Sequence, residues 1–172
     1  MSGISYATSF SDVILAGSTF SAALRVESPL VAAYFYLVTC ASMLGSIRFA
    51  TGNLVQPHSA LSALTACLGA SIFLGGVLQF YEFPIILTYL FIAIGFTISA
   101  KFHPYREIFS IVCFVLIGII SGLNGNYTTL LAIALYAIAS IILPMKTLLG
   151  LASDDWFHYI LSIANLLLSS CY

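Results

Sequence analysis

Polar residues are sparse along this chain, and where they cluster they divide it. Seven apolar runs approach the roughly 20 residues that a membrane-crossing helix needs. They lie at about Phe10–Val26, Pro29–Arg48, His58–Phe80, Pro84–Ala100, Pro104–Gly122, Tyr127–Lys146 and Asp154–Tyr172. Ser9 or Ser11 is placed to cap the first run. Pro29 and Pro84 suit the opening turns of the second and fourth, where no N–H is needed. A polar stretch, Phe49–Pro57, follows the second run, and Leu123–Asn126 (LNGN) turns the chain after the fifth. Gly75 and Gly76 invite a bend in the third. The runs are unbroken rather than alternating, which favours helices over barrel strands. The expected fold is an all-α membrane protein, a polytopic bundle of seven transmembrane helices in one domain over residues 1–172 with no soluble domain. The count falls to six if the last helix lies in the interface.

The last run, DDWFHYILSIANLLLSSCY, differs from the others. His158, Ser162, Asn165 and Ser169 step by three or four residues, which places them on one helical face. Lipid does not tolerate such a stripe, so it is expected to face other helices or a water-filled cavity.

Composition agrees with the pattern. The chain is 61% hydrophobic and 6% charged, against about a quarter charged in a soluble domain. The net charge of −1, without basic or acidic blocks, gives no sign of a nucleic-acid partner. No Lys or Arg precedes Asp12, unlike a signal or transit peptide. Cys40, Cys67, Cys113 and Cys171 all fall in apolar runs without a CxxC pair and read as small core residues. Trp156, Tyr159, Tyr105 and Tyr34 read as interfacial anchors, and Gly17 with Ser21, and Ser62, Ala66 and Gly69, as close-packing surfaces.

Seven spans place Arg48, Lys101, Arg106 and Lys146 on the side of the N-terminus and Arg25 alone on the other. The positive-inside rule then makes the N-terminus cytoplasmic and the C-terminus external, with the cell membrane as the expected location. All three histidines and the carboxylates of Asp12, Glu107, Asp154 and Asp155 fall on the same, cytoplasmic side. That asymmetry points to a shallow polar pocket. His58, His158 and one of Asp12, Asp155 or His103 have the composition of a catalytic zinc set, whose metal would activate a water. Interfacial histidines at helix ends without metal are the plainer reading. Asp12 is either a carboxylate favoured by a helix N-terminus or a metal ligand or its partner. Arg48, with Ser46 nearby, either snorkels to headgroups, binds a lipid phosphate, or pairs with Asp12 or Asp155. Ser62, four residues after His58, shares its face.

An Asp early in the first helix, a Ser and a basic residue late in the second, a His opening the third and an Asp-Trp-Phe-His start to the last (Asp155–His158) form a pattern. It resembles the small bacterial relatives of the CREST superfamily of seven-helix membrane hydrolases, which includes alkaline ceramidases and adiponectin-receptor-like proteins. The resemblance implies cleavage of lipid amides by three His, an Asp and a Ser around a zinc ion, matched here at His158, His58, Ser46 and Asp12. Taken with the residues' own placement, the expected site has His58, His158 and Asp12 as metal ligands, Asp12, Ser46 and Asp155 in catalytic roles, and Arg48, Ser162 and Asn165 in the rest of the pocket. The superfamily's HxxxH pair in the last helix is not reproduced, since its second position is Ser162.

Function is therefore expected to be that of a multi-pass membrane protein with a cytoplasmic-side pocket, a metal-dependent lipid hydrolase by resemblance. The alternatives are a small channel, transporter or lipid-binding protein, or a structural subunit of a membrane complex. Membrane lipids are the expected partners, with a homo-oligomer or a larger complex as further associations.

Overall fold

Ser5 opens the first helix: its hydroxyl accepts from the Thr8 N–H at 3.3 Å, satisfying a donor that the first turn leaves free. The computed structural model describes residues 5–145 and 147–172; Lys146 and the side chain of His103 lie outside the described residues. Among the described residues there are seven helices: α1 (Tyr6–Ala23), α2 (Pro29–Thr51), α3 (Val55–Phe80), α4 (Ile85–Lys101), α5 (Arg106–Leu123), α6 (Tyr127–Ile142) and α7 (Ser153–Ser169). A two-residue hairpin, β1 (Thr147–Leu148) and β2 (Leu151–Ala152), precedes α7. α2, α3 and α5 are long and apolar enough to cross a membrane, while α4 and α6 are shorter apolar helices.

The helix starts correct the sequence reading at α1. Neither Ser9 nor Ser11 caps it, because Ser5 does so one turn earlier. Asp12 consequently sits two turns inside α1 rather than at its favourable N-terminus, and it is buried. α2 begins at Pro29 behind a Ser28 cap, as expected, but runs on to Thr51. Gly52, at φ 74°, ends it in the left-handed conformation that glycine adopts without strain, its N–H on the Arg48 carbonyl at 2.8 Å. The expected polar loop from Phe49 thus shrinks to a short turn, and α3 starts at Val55.

α3 is irregular at Thr65–Gly69, a π-helical turn, whereas Gly75 and Gly76 continue as ordinary α-helix. A π-turn accommodates one extra residue and resets the faces on either side of it.

The helices form a ring. α1 packs on α2 and α7, α7 on α6, α6 on α5, α5 on α3 and α3 on α2, while α4 lies outside against α3. The half of the ring near the start of α2 is filled by Val31, Phe73, Leu74, Ile117 and Leu168, all wholly buried. The stripe on α7 faces inward as its spacing required: Ser162, Asn165 and Ser169 are buried. Buried positions run along α7 from Ser153 to Ser169, so it packs over its full length. Gly17 instead faces outward with open space beside it, and Cys40 is exposed on the apolar exterior.

Candidate functional site

The opposite half of the ring is not filled. A cavity of about 630 Å³ lies there, lined by all six ring helices and by no residue of α4. Its walls are mainly apolar, including Leu15, Val38, Phe114, Ile133 and Leu161. Asp12 from α1, His58 from α3 and His158 from α7 face into it. On α2 it extends from Ser42, next to the Gly45 turn, to Tyr34, about 12 Å of helix at 1.5 Å per residue. The first half of α3, Val55–Leu64, packs chiefly on α2 and has no buried residue. On the facing wall Ile111 and Ile141 line the cavity and remain 62% and 66% exposed, so the cavity opens sideways between α3 and the α5–α6 pair.

Three sequence-selected groups converge at the polar end. His158 Nε2 lies 3.4 Å from Asp12 Oδ1. Its other ring nitrogen, Nδ1, is 2.9 Å from Ser11 Oγ. That hydroxyl also lies within hydrogen-bond reach of Asp155 Oδ1, at 3.2 Å, and of the Thr8 carbonyl, at 2.9 Å. Where Ser11 sends its single hydrogen decides which nitrogen of His158 carries the proton. His58 approaches from α3, with Nε2 3.3 Å from Ser62 Oγ and Nδ1 2.8 Å from Arg48 Nη1. The guanidinium of Arg48 also lies over the Phe49 ring, 4.8 Å from its centroid.

Gly45 makes the convergence possible. A Cβ at that position would overlap Asp12 Oδ2 and stand 2.9 Å from His58 Nε2. Only a glycine lets both groups approach α2 this closely. Asp12 is 1% exposed, yet its Oδ2 has no hydrogen-bond partner.

The remaining expected site residues are placed elsewhere. Ser46 faces Ser9, whose hydroxyl donates to the Ser46 carbonyl at 2.9 Å, and it does not line the cavity. Asp155 is buried behind His158 and reaches it through Ser11. Ser162 turns its hydroxyl back onto the His158 carbonyl at 2.8 Å. Asn165 lies deeper, its Oδ1 accepting from Tyr136 Oη at 2.5 Å, and Tyr136 in turn lies 2.6 Å from Tyr34 Oη. Tyr34 is thus no interfacial anchor: it is 3% exposed and bonded across the cavity. Trp156 spends its indole N–H on the Leu148 carbonyl at 2.8 Å and pins the β1–β2 hairpin to α7.

Sequence reasoning missed Ser11, Gly45, Tyr34 and Tyr136. Ser11 adjoins Asp12 but reads locally as a cap, and Gly45 carries no local signal. Their roles come from partners far away in the chain.

The donor set can be tested against zinc. Among the described residues no group of three or more His, Cys, Asp or Glu is arranged to hold a metal ion. The chemistry of His58 explains part of this. A guanidinium has donors only, so the nitrogen of His58 that meets it must supply the lone pair. A neutral imidazole so fixed carries its hydrogen on Nε2, and that atom then has no lone pair for a metal. The residues present do not fit a zinc ion in this arrangement.

Fold and site together define a helical, apolar-surfaced bundle with a side-opening cavity and a buried carboxylate–imidazole cluster at one end. No protein family, no curated protein and no solved structure matches the chain.

Proposed function

We propose that this chain is a multi-pass membrane protein that receives the apolar chain of a lipid in the ring cavity and holds its polar head at Asp12, His58 and His158. The observation that carries this is the cavity itself, which has apolar walls, a polar cluster confined to one end and an opening toward the surrounding lipid. In this reading all seven helices span. The exterior supports it, since large apolar side chains such as Ile86, Phe96, Ile108 and Ile119 are more than half exposed on it, and water would penalise that surface. Full-length packing of α7 between α1 and α6 supports a spanning rather than an interfacial last helix. The excess of Arg and Lys near the cavity end supports a cytoplasmic placement of that end. The filled opposite half of the ring favours a one-ended site over a through-going channel.

The test is lipid extraction from the purified protein followed by mass spectrometry. A roughly stoichiometric amphiphile is expected, with recovery reduced by Ala137→Trp, which places an indole in the cavity wall. If the protein carries no lipid and Ala137→Trp changes nothing, the cavity is not a lipid site.

Hydrolysis of a lipid ester or amide is the second reading, and one observation favours it. His158 lines the cavity and is held between Asp12 and the Ser11–Asp155 pair, the kind of support a general base requires. Lipid turnover in vesicles that disappears in His158→Ala and in Asp12→Asn is the expected outcome. Turnover absent from the parent protein, with lipid still retained, leaves binding alone.

A further inference from the structure

The direction of one hydrogen bond constrains what the cavity can hold. Arg48 Nη1 stands 2.8 Å from His58 Nδ1. The guanidinium stays protonated and has no acceptor. Were His58 also protonated on Nδ1, two donors would face one another, so Nδ1 is the acceptor and Nε2 carries the hydrogen. Nε2 lies 3.3 Å from Ser62 Oγ and borders the space beside Gly45, where Asp12 Oδ2 is buried with no partner, so a guest hydroxyl there would share the Nε2 hydrogen with Ser62. The head end of the cavity therefore offers a donor and a bare acceptor side by side. Arg48 itself does not line the cavity, nor does any other Arg or Lys among the described residues.

Resting on the lipid-binding reading, we propose that Arg48 is a positioning residue that fixes His58 as a hydrogen-bond donor, and that the cavity thereby selects uncharged, hydroxyl-bearing single-chain amphiphiles. A hydroxyl accepts from His58 Nε2 and donates to Asp12 Oδ2 at once. An ionised head without a hydroxyl supplies no hydrogen to Asp12 and finds no cation in the cavity. A hydroxyl head gives the bare Asp12 Oδ2 a partner, and an anionic head without a hydroxyl does not.

The experiment uses the full chain in detergent or nanodiscs, with three probes sharing an 18-carbon monounsaturated chain: monooleoylglycerol, oleate and oleyl phosphate. Ligand-induced thermal stabilisation is expected to be strongest for monooleoylglycerol, with affinity at least about tenfold above the two anionic probes. Nitrogen NMR of histidine-labelled protein is expected to show His58 protonated on Nε2 and bare on Nδ1. Arg48→Lys, which keeps a donor-only group, is expected to preserve both readouts. Arg48→Leu is expected to release the tautomer and weaken monooleoylglycerol by about tenfold while leaving helicity unchanged. A merely structural role for Arg48 would not move the tautomer. Should Arg48→Leu fail to fold, the parent spectrum and Arg48→Lys still decide. Protonation of His58 on Nδ1, or tight binding of a metal by Nε2, overturns the role of Arg48. Equal binding of all three probes overturns the selectivity. Failure of every probe to bind, with the tautomer as stated, overturns the lipid reading and the selectivity with it but leaves the Arg48–His58 assignment standing.

Discussion

Asp12 of α1 and His158 of α7 meet with Oδ1 and Nε2 3.4 Å apart. They join the first and last helices, and with them the ring closes around the cavity. His158 is held from its other edge as well, by Ser11 at 2.9 Å. Neighbouring residues of α1 therefore grip both nitrogens of one imidazole, and its orientation is set by the α1–α7 contact rather than by anything local to α7.

Ser11→Ala tests that grip. It removes the hydroxyl shared by His158 and the buried Asp155, stranding polar atoms away from water. A loss of about 1–3 kcal/mol is expected, read as a lower thermal midpoint by the fluorescence of Trp156. Ser170→Ala, at an exposed position, is the control and is expected to stay within about 0.5 kcal/mol of the parent. Equal effects from the two would remove the special role of Ser11.

Gly45→Ala is expected to be worse than its single methyl suggests. The added Cβ would collide with Asp12 Oδ2 and press on His58 Nε2. Overpacking of this kind costs about 1–3 kcal/mol, and lipid retention is expected to fall with it. An alanine variant of unchanged stability and unchanged lipid content would show that the two groups do not crowd this point.

Tyr136→Phe removes the hydroxyl that connects Tyr34 to Asn165. Asn165 Nδ2 already has no partner, so the variant leaves the whole buried amide unsatisfied. The expected loss is about 1–3 kcal/mol, and the double variant with Asn165→Leu is expected to recover part of it, because removing both partners can be nearly neutral. Thermal midpoints of the single and double variants measure this directly. A double variant less stable than either single one would contradict it.

The π-turn at Thr65–Gly69 is expected to set the direction in which His58 and Ser62 point. Deleting Ala66 would restore regular α-helix and turn Val55–Leu64 by about 100° relative to the rest of α3. A Ser62→Cys reporter, in a background with Cys40→Ser, should then change its alkylation rate and the protein should lose its lipid. An unchanged rate and full lipid retention would mean that the turn does not position this segment.

Much of the helical framework was legible in the sequence, for a local reason. Apolar runs of membrane length and the turn residues between them need no information from elsewhere in the chain, so seven helices fall close to where the pattern placed them. The polar stripe of α7 was legible for the same reason, because helical periodicity alone puts Ser162, Asn165 and Ser169 on one face. Asp12, His58 and His158 could be singled out as scarce polar groups on one side. What they do together was not legible. The start of α1 at Tyr6 turned Asp12 from an end-of-helix carboxylate into a buried one. Closure of the ring brought Ser11 to His158 and Tyr34 to Tyr136 across 147 and 102 residues. Arg48 found an imidazole rather than a carboxylate, which changed His58 from a candidate metal ligand into a donor. Helix formation is decided within a few turns of chain, whereas side-chain partnership depends on which faces meet when the helices pack, and only the tertiary structure supplies that.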